Sequence, residues 1–369
     1  MKEKIPQFQP YLDNREYDSI KSCFDTNWIT EGPKSKEFVD KLCELIGVKY
    51  AVLAPNGTLS IYMALKAVGI GYGDEVIVPN FTFIASANAI EMCGAKPVFV
   101  DIKEDLHIDI NKCEKLINKK TKAIMPVHVY GMSCNMDEVM EFAEKHKLKV
   151  VEDAAQAIGI KWNGKHAGTY GDAGSFSFFA DKTITTGEGG LVVTNNEETY
   201  KKLLYIRNQG RLDRGSFIHP EIGYNFRMTD IQSSIGLSQL EKLPEIIQKK
   251  SEILKNYKKF LKSDIKIIEP PNQSNHIPFR VCILIDGGCE KLMKHMSVND
   301  IETRTFFYPL HKQPCYLKKQ KKFFSKFFKI KEDFNVSIKM YNEGVCLPSF
   351  VGITEEQIKF ICEKINEYV

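Results

Sequence analysis

Residues 174–190, GSFSFFADKTITTGEGG, hold the first side chain that could do covalent chemistry. An apolar run, Phe176 to Phe179, alternates like a strand that stops abruptly at Asp181 and Lys182. A glycine-rich turn, Gly187 to Gly190, then leads into a second strand, Leu191 to Thr194. A lysine at the mouth of a buried strand loses hydration, which favours its neutral amine. A neutral amine attacks carbonyls and forms a Schiff base. The plainer reading of the same residues is a surface lysine in a hairpin turn.

Other positions could serve such a lysine. Asn56-Gly57-Thr58 lies between a short strand, Tyr50 to Leu53, and an apolar helix, Leu59 to Val68. A glycine turn opening a helix presents unpaired N–H groups and the positive end of the helix dipole, and phosphate is its usual guest. An ordinary N-cap by Asn56 or Thr58 would use the same residues. Phe83 follows the strand Glu75 to Pro79 and could stack on a flat ring or fill core. The strand at 149–152 ends in Glu152-Asp153-Ala154-Ala155-Gln156. A partly buried carboxylate there needs a cation to stay ionised, and a protonated pyridine nitrogen is one such partner. Capping of the next segment is the structural alternative. Asn225 and Arg227 sit in a loop just before a helix cap at Thr229 or Asp230.

The elements that must position these groups alternate. Helices at 13–25 and 34–46 flank Trp28 to Pro33, a turn that reads equally as a connection or as a substrate-facing lip. Strands at 96–101, 123–127 and 149–152 alternate with helices at 85–94, 111–118 and 136–147. This order predicts an α/β domain with a mainly parallel sheet and helices on both faces. Its ligands are expected along the edge formed by the strand C-termini. Helices at 197–208 and 231–249 follow, and the remainder, with a strand at 278–285, reads as α+β. The expected division is a large domain of residues 1–245, including the N-terminal helical segment, and a smaller C-terminal domain of residues 246–369.

The chain has 369 residues, 43% of them hydrophobic, which suits a large core plus a smaller one. A net charge of +4, with lysines and arginines spread along the chain, gives no expectation of nucleic-acid binding. No apolar stretch approaches the ~20 residues of a membrane span, and the first residues show no apolar signal region. The densest basic run, Lys318 to Lys329, interleaves lysines with Phe323, Phe324, Phe327 and Phe328. It fits an amphipathic helix, with a solvated face or a membrane or acidic-partner patch. Ten cysteines occur without a CxxC pair, so no metal site is expected and free thiols in a reducing cytoplasm are.

Taken in order, the segments WITEGP, NGTLSIYMAL, VPNFTFIASANAI, EDAAQAIG, SFSFFADKTITTGEGG, GYNFRMTDIQSSIGLSQLEKL and TRTFFYPLHKQPCY cover most of the chain. Jointly they resemble the DegT/DnrJ/EryC1/StrS sugar aminotransferases of the fold type I, aspartate aminotransferase-like group. The last two, with DKTITTGEGG, resemble the perosamine-synthase-like branch. The resemblance implies pyridoxal phosphate as cofactor, with Lys182 as Schiff-base lysine and proton carrier and Asp153 as partner of the pyridine nitrogen. It places Gln156 at the ring hydroxyl, Phe83 on the ring face, and Gly57, Thr58 and Ser177 around the phosphate. Asn225 would reach the phosphate from the neighbouring subunit, making a homodimer with shared active sites. Thr30, Arg227 and His311 fall where relatives meet amino donor or sugar, and the sequence offers Trp28 and Tyr308, with Thr30 and His311, as groups to line the acceptor pocket. The implied reaction carries an amino group from L-glutamate to the 4-keto group of a nucleotide-linked 4-keto-6-deoxyhexose, GDP-linked by preference, for surface polysaccharide biosynthesis. The alternatives are an aminotransferase for a small phosphorylated ketone and a non-catalytic cofactor-binding regulator.

Overall fold

The strands of the first unit are short and apolar because helices cover both of their faces. The structure, a computed structural model, describes residues 4–212, 215, 217–322 and 333–369. Its first nine strands are β1 (Tyr50–Ala54), β2 (Glu75–Pro79), β3 (Lys96–Val100), β4 (Thr121–Ile124), β5 (Lys149–Asp153), β6 (Lys161–Trp162), β7 (Lys165–His166), β8 (Ala173–Ser177) and β9 (Gly190–Thr194). β6 and β7 make a small hairpin, and the others form one seven-stranded sheet in the order β1-β9-β8-β5-β4-β2-β3. β9 runs antiparallel to both of its neighbours, β8 and β1. Every other pairing is parallel. The remaining strands therefore point one way, and Ala54, Pro79, Asp153 and Ser177 all end on one edge.

Period-two alternation sorts the side chains onto the two faces. Val52 and Ala54 pack with Ile61 and Leu65 of the helix Gly57–Ala67. Ala51 and Leu53 face the other way, against Phe38 and Leu42 of the helix Pro33–Ile46 and Leu237 of the helix Asp230–Phe260. The second unit is an antiparallel sheet of β10 (Lys266–Ile267), β11 (Val281–Leu284), β12 (Arg304–Thr305) and β13 (Gly344–Leu347), in the order β10-β11-β13-β12. The helices Glu290–Val298 and Glu355–Tyr368 fill its core with Leu292, Met296, Ile358, Ile361 and Ile365.

Several sequence-based boundaries shift. The strand expected at 176–179 is Ala173–Ser177; Phe178 still donates to Gly189 O, but the chain then turns. The helix expected to stop at Lys249 continues to Phe260 despite Pro244. Its apolar stripe explains this: Leu243 and Ile246 pack in the first core, Ile253 and Tyr257 in the second. The packing thus changes over inside one continuous helix, between Ile247 and Ile253. Ile5, assigned from sequence to the first unit, bridges Ile301 and is buried in the second core. The strand expected at 278–285 is confined to Val281–Leu284, and residues 323–329 of the basic run lie outside the described residues. Among the described residues no helix is long and apolar enough to cross a membrane.

Candidate active site

β5 delivers two adjacent carboxylates to opposite faces of the sheet, and their surroundings separate their roles. Glu152 is fully buried and accepts hydrogen bonds from the backbone N–H groups of Gly168, Tyr170 and Gly171, each at 2.7 Å. His128 Nε2 lies 3.1 Å from the same carboxylate. Because His128 Nδ1 accepts from Cys134 N, the ring proton sits on Nε2 and points at Glu152. Glu152 is saturated and fastens the 168–171 loop. Asp153, 5% exposed, has a sparser shell: Ser86 Oγ donates to Oδ2 at 2.7 Å and Ala155 N to Oδ1 at 3.1 Å. Burial pushes its pKa up, opposed by Ser86, Ala155 and the charge of Lys182. An ionised carboxylate in that setting is stabilised by a further cation, and a pyridinium nitrogen meets the need.

Lys182 lies in the turn after β8, held by its N–H to Phe179 O at 2.9 Å. Its side chain is 16% exposed, with Nζ 3.5 Å from Asp181 Oδ1 and 4.7 Å from the centre of the Phe279 ring. Burial lowers its pKa; Asp181 and, more weakly, Asp153 oppose the shift and Arg280 reinforces it. The amine is therefore closer to its nucleophilic neutral form than that of a surface lysine.

The start of the helix Gly57–Ala67 lies at the same edge. Asn56 caps it, accepting from Leu59 N at 3.0 Å. A Cβ on Gly57 would lie 2.8 Å from Ser177 Cβ and 2.9 Å from Ser177 Oγ. Only glycine lets the Ser177 hydroxyl close against the helix start. Ser60 Oγ ties the helix to β8 through Ser175 Oγ at 2.5 Å and Phe176 O at 3.0 Å. Half-buried Thr58 completes the first turn. First-turn N–H groups, the helix dipole and a hydroxyl in one cradle fit a phosphate. Phe83, 59% exposed, follows β2 beside Ser86, whose Oγ lies 3.2 Å from Phe83 O. An exposed ring thus stands next to the residue that holds Asp153. Gln156 Oε1 accepts from Tyr130 N at 2.7 Å, which leaves its amide nitrogen as the donor.

The other expected residues lie elsewhere. His311 comes from the second unit to the end of β2, where its N and Nδ1 both meet Asn80 Oδ1, at 2.9 and 3.0 Å. An oxygen only accepts, so Nδ1 carries the proton and Nε2 is an acceptor. Burial lowers this imidazole to about 4, so it is neutral at pH 7. Asn225 is exposed and its backbone bridges Asn208, while Arg227 Nη1 donates to Asn208 Oδ1 at 2.8 Å. Among the described residues no hydrogen bond joins Asn225 to Lys182 or Asp153. Thr30 O accepts from Asp230 N at 3.0 Å. The Asp230 carboxylate in turn accepts from Gly32 N (2.7 Å), Ser35 N (2.9 Å) and Ser35 Oγ (2.6 Å). Of the two candidate caps, Thr229 serves its own helix and Asp230 serves the helix Pro33–Ile46, whose N-cap Gly32 has no side chain. Ser86, Asn80 and Arg280 escaped the sequence reading because each meets its partner across the fold, with nothing local to mark it.

The match to known proteins covers this whole arrangement. The model of the DegT/DnrJ/EryC1/StrS aminotransferase family fits residues 10–366. GDP-perosamine synthase of Escherichia coli O157:H7 is 42% identical over 368 residues, covering 99% of this chain and 98% of that one. GDP-perosamine synthase of Vibrio cholerae is 38% identical over 371 residues, covering 99% of each. Among solved structures, Spr1654 from Streptococcus pneumoniae in its PLP form, described provisionally as a sugar aminotransferase, matches with a TM-score of 0.92 at 26% identity, over 99% of this chain and 98% of that one. With a buried lysine, a desolvated carboxylate and a phosphate cradle on one sheet edge, this chain belongs to the DegT/DnrJ/EryC1/StrS aminotransferase family and is a pyridoxal phosphate-dependent transaminase of fold type I.

Proposed function

We propose that the enzyme moves an amino group from L-glutamate to the 4-keto carbon of a nucleotide-linked 4-keto-6-deoxyhexose, GDP-linked in preference to UDP- or dTDP-linked, for a surface polysaccharide. The observation that carries the chemistry is the Lys182 amine, buried within the electrostatic reach of Asp153 and following the same strand, β8, that brings Ser177 against Gly57. The choice of sugar is supported by near full-length similarity to two GDP-perosamine synthases.

Bound pyridoxal phosphate supplies an electron sink for the carbanions of both half-reactions. Gly57, Thr58 and Ser177 hold its phosphate. Asp153 keeps the pyridine nitrogen protonated, with Ser86 fixing the carboxylate. Phe83 would stack on the ring, and the Gln156 amide nitrogen, left free as a donor by Tyr130 N, would serve the ring hydroxyl. Lys182 Nζ would hold the cofactor covalently, and with the amino donor bound it would be the acid–base group of the site. As a neutral base, Nζ takes the proton from the amine-bearing carbon of glutamate. In the second half-reaction Nζ returns a proton to the sugar carbon that receives the amine. His311 Nε2 accepts from an acceptor hydroxyl, with Thr30, Trp28, Arg227 and Tyr308 as further contacts to donor or acceptor. The functional unit is a homodimer, in which Asn225 of each subunit completes the phosphate site of the other. Thiols and nucleotide sugars both suit a cytoplasmic setting.

A panel of keto acceptors, offered to protein preloaded with pyridoxamine phosphate and followed by absorbance, tests the substrate. GDP-4-keto-6-deoxyhexose should turn over fastest. Fast turnover of a small ketone phosphate with every nucleotide sugar inert overturns the substrate class and leaves the transaminase chemistry standing. No conversion with glutamate or any acceptor would favour the regulator instead.

A further inference from the structure

Asp181 stands between two cations. Its Oδ2 accepts from Arg280 Nη2 at 2.8 Å, in a pair whose side chains are 14% and 5% exposed. Its buried Oδ1 takes no hydrogen bond among the described residues and lies 3.5 Å from Lys182 Nζ. Arg280 precedes β11 of the second sheet, whereas Asp181 and Lys182 follow β8 of the first. Both cations also lie over the Phe279 ring, Arg280 Cζ at 4.4 Å and Lys182 Nζ at 4.7 Å from its centre. Asp181, Lys182 and Arg280, with Tyr11, Gln239 and Lys250 among others, line a small cavity of about 20 Å³. The charged and titratable groups around the amine are thus Asp181, Arg280 and Asp153, which act on it electrostatically, and Tyr11 and Lys250, which line the same cavity.

We infer that Asp181 is a positioning residue for Lys182: its second oxygen docks and stabilises the ammonium form of the freed lysine, and Arg280 limits the strength of that docking by engaging the first oxygen. This deepens the reading of Lys182 as the cofactor lysine and rests on it. The chemistry requires both forms of the amine, since Nζ must be neutral to accept a proton and charged to return one. A carboxylate 3.5 Å away favours the charged form, and burial favours the neutral one. A lone Asp181 would hold the ammonium too firmly. Sharing its charge with Arg280 leaves an intermediate balance. The ion pair also links the second sheet to the acid–base state of a residue on the first.

Stopped-flow capture of pyridoxal phosphate by the apoprotein, measured across pH, is the test, with the attachment site mapped by borohydride trapping and peptide mass spectrometry. Capture requires the neutral amine, so the midpoint of its pH profile reports the protonation of Lys182. Asp181→Asn removes the charge that favours the ammonium and should lower the midpoint by about one pH unit. Arg280→Met releases Asp181 to act fully and should raise it by a similar amount. The double variant should return towards the wild-type midpoint, and because it leaves no unpaired charge it keeps the test open if Arg280→Met alone fails to fold. Burial and Arg280 bring Lys250 to about 7, so the Asp181→Asn comparison is repeated with Lys250→Met to remove that second titration. Opposite shifts of the two single variants support the inference, and a structural defect would not produce them. Capture at Lys182 with the midpoint unmoved by Asp181→Asn overturns it. Capture at another lysine in the wild-type protein would instead overturn the assignment of Lys182.

Discussion

Glu152 and Asp153 show how neighbouring carboxylates acquire different tasks. Strand alternation puts them on opposite sides of the sheet, and in the sequence only the family resemblance singled out Asp153. The division of tasks depends on Gly168, Tyr170, Gly171 and Ser86, none of which is marked in the local sequence. Two substitutions separate the roles. Asp153→Asn should slow both half-reactions by several orders of magnitude in single-turnover absorbance measurements, because the pyridine nitrogen loses its anionic partner. Its apoprotein should be at least as stable as wild type at neutral pH. The raised pKa of Asp153 means that the native state favours its protonated form, so stability is lost as pH rises above the ordinary carboxylate range, and the neutral amide removes that loss. Glu152→Gln has one acceptor oxygen for three backbone N–H groups and the His128 ring N–H, so it should lose about 3 kcal/mol in urea unfolding. A Glu152→Gln protein of normal stability with abolished half-reactions would reverse the two assignments.

At the scale of elements, caps and short apolar strands were legible, and element ends were less so. Asn56, one of the two expected caps, does cap the helix Gly57–Ala67, whereas Asp13, expected inside its helix, proves to be the cap of Asn14–Asp25. The long helix was cut short at Lys249 because its later apolar positions serve a different core from its earlier ones. The helix Pro33–Ile46 offers no local cap at all. Its first turn is held by Asp230, about 200 positions away along the chain. Removing that carboxylate by Asp230→Ala should cost about 2 kcal/mol or more, because several buried donors lose one acceptor together. Thr229→Ala, which removes a single cap from the helix behind it, should cost about 1 kcal/mol. Urea midpoints of the two variants check the order. If Thr229→Ala proves the more damaging, Asp230 does not organise the turn that carries Thr30.

At the scale of the molecule, alternation of strands and helices announced a mainly parallel sheet, but the strand order and the reversal of β9 follow from long-range pairing that no local pattern encodes. The single chain also leaves Asn225 exposed, with no hydrogen bond to Lys182 among the described residues, and it exposes Tyr17, Phe24, Ile29, Phe217, Ile218 and Ile222. Exposed apolar side chains in such number suit a protein interface. If a second copy covers them and supplies Asn225, defects in the two residues must complement. In a mixed dimer of Lys182→Ala and Asn225→Ala subunits, one site carries both defects and the other carries neither. Co-refolding equal amounts of the two at limiting cofactor should therefore restore about a quarter of wild-type turnover, since random pairing makes half the dimers mixed and each mixed dimer has one intact site. Each variant alone should stay far below that level. If Asn225 serves the lysine of its own chain, every mixed site keeps exactly one of the defects, and the mixture will show no more than the average of its two parents.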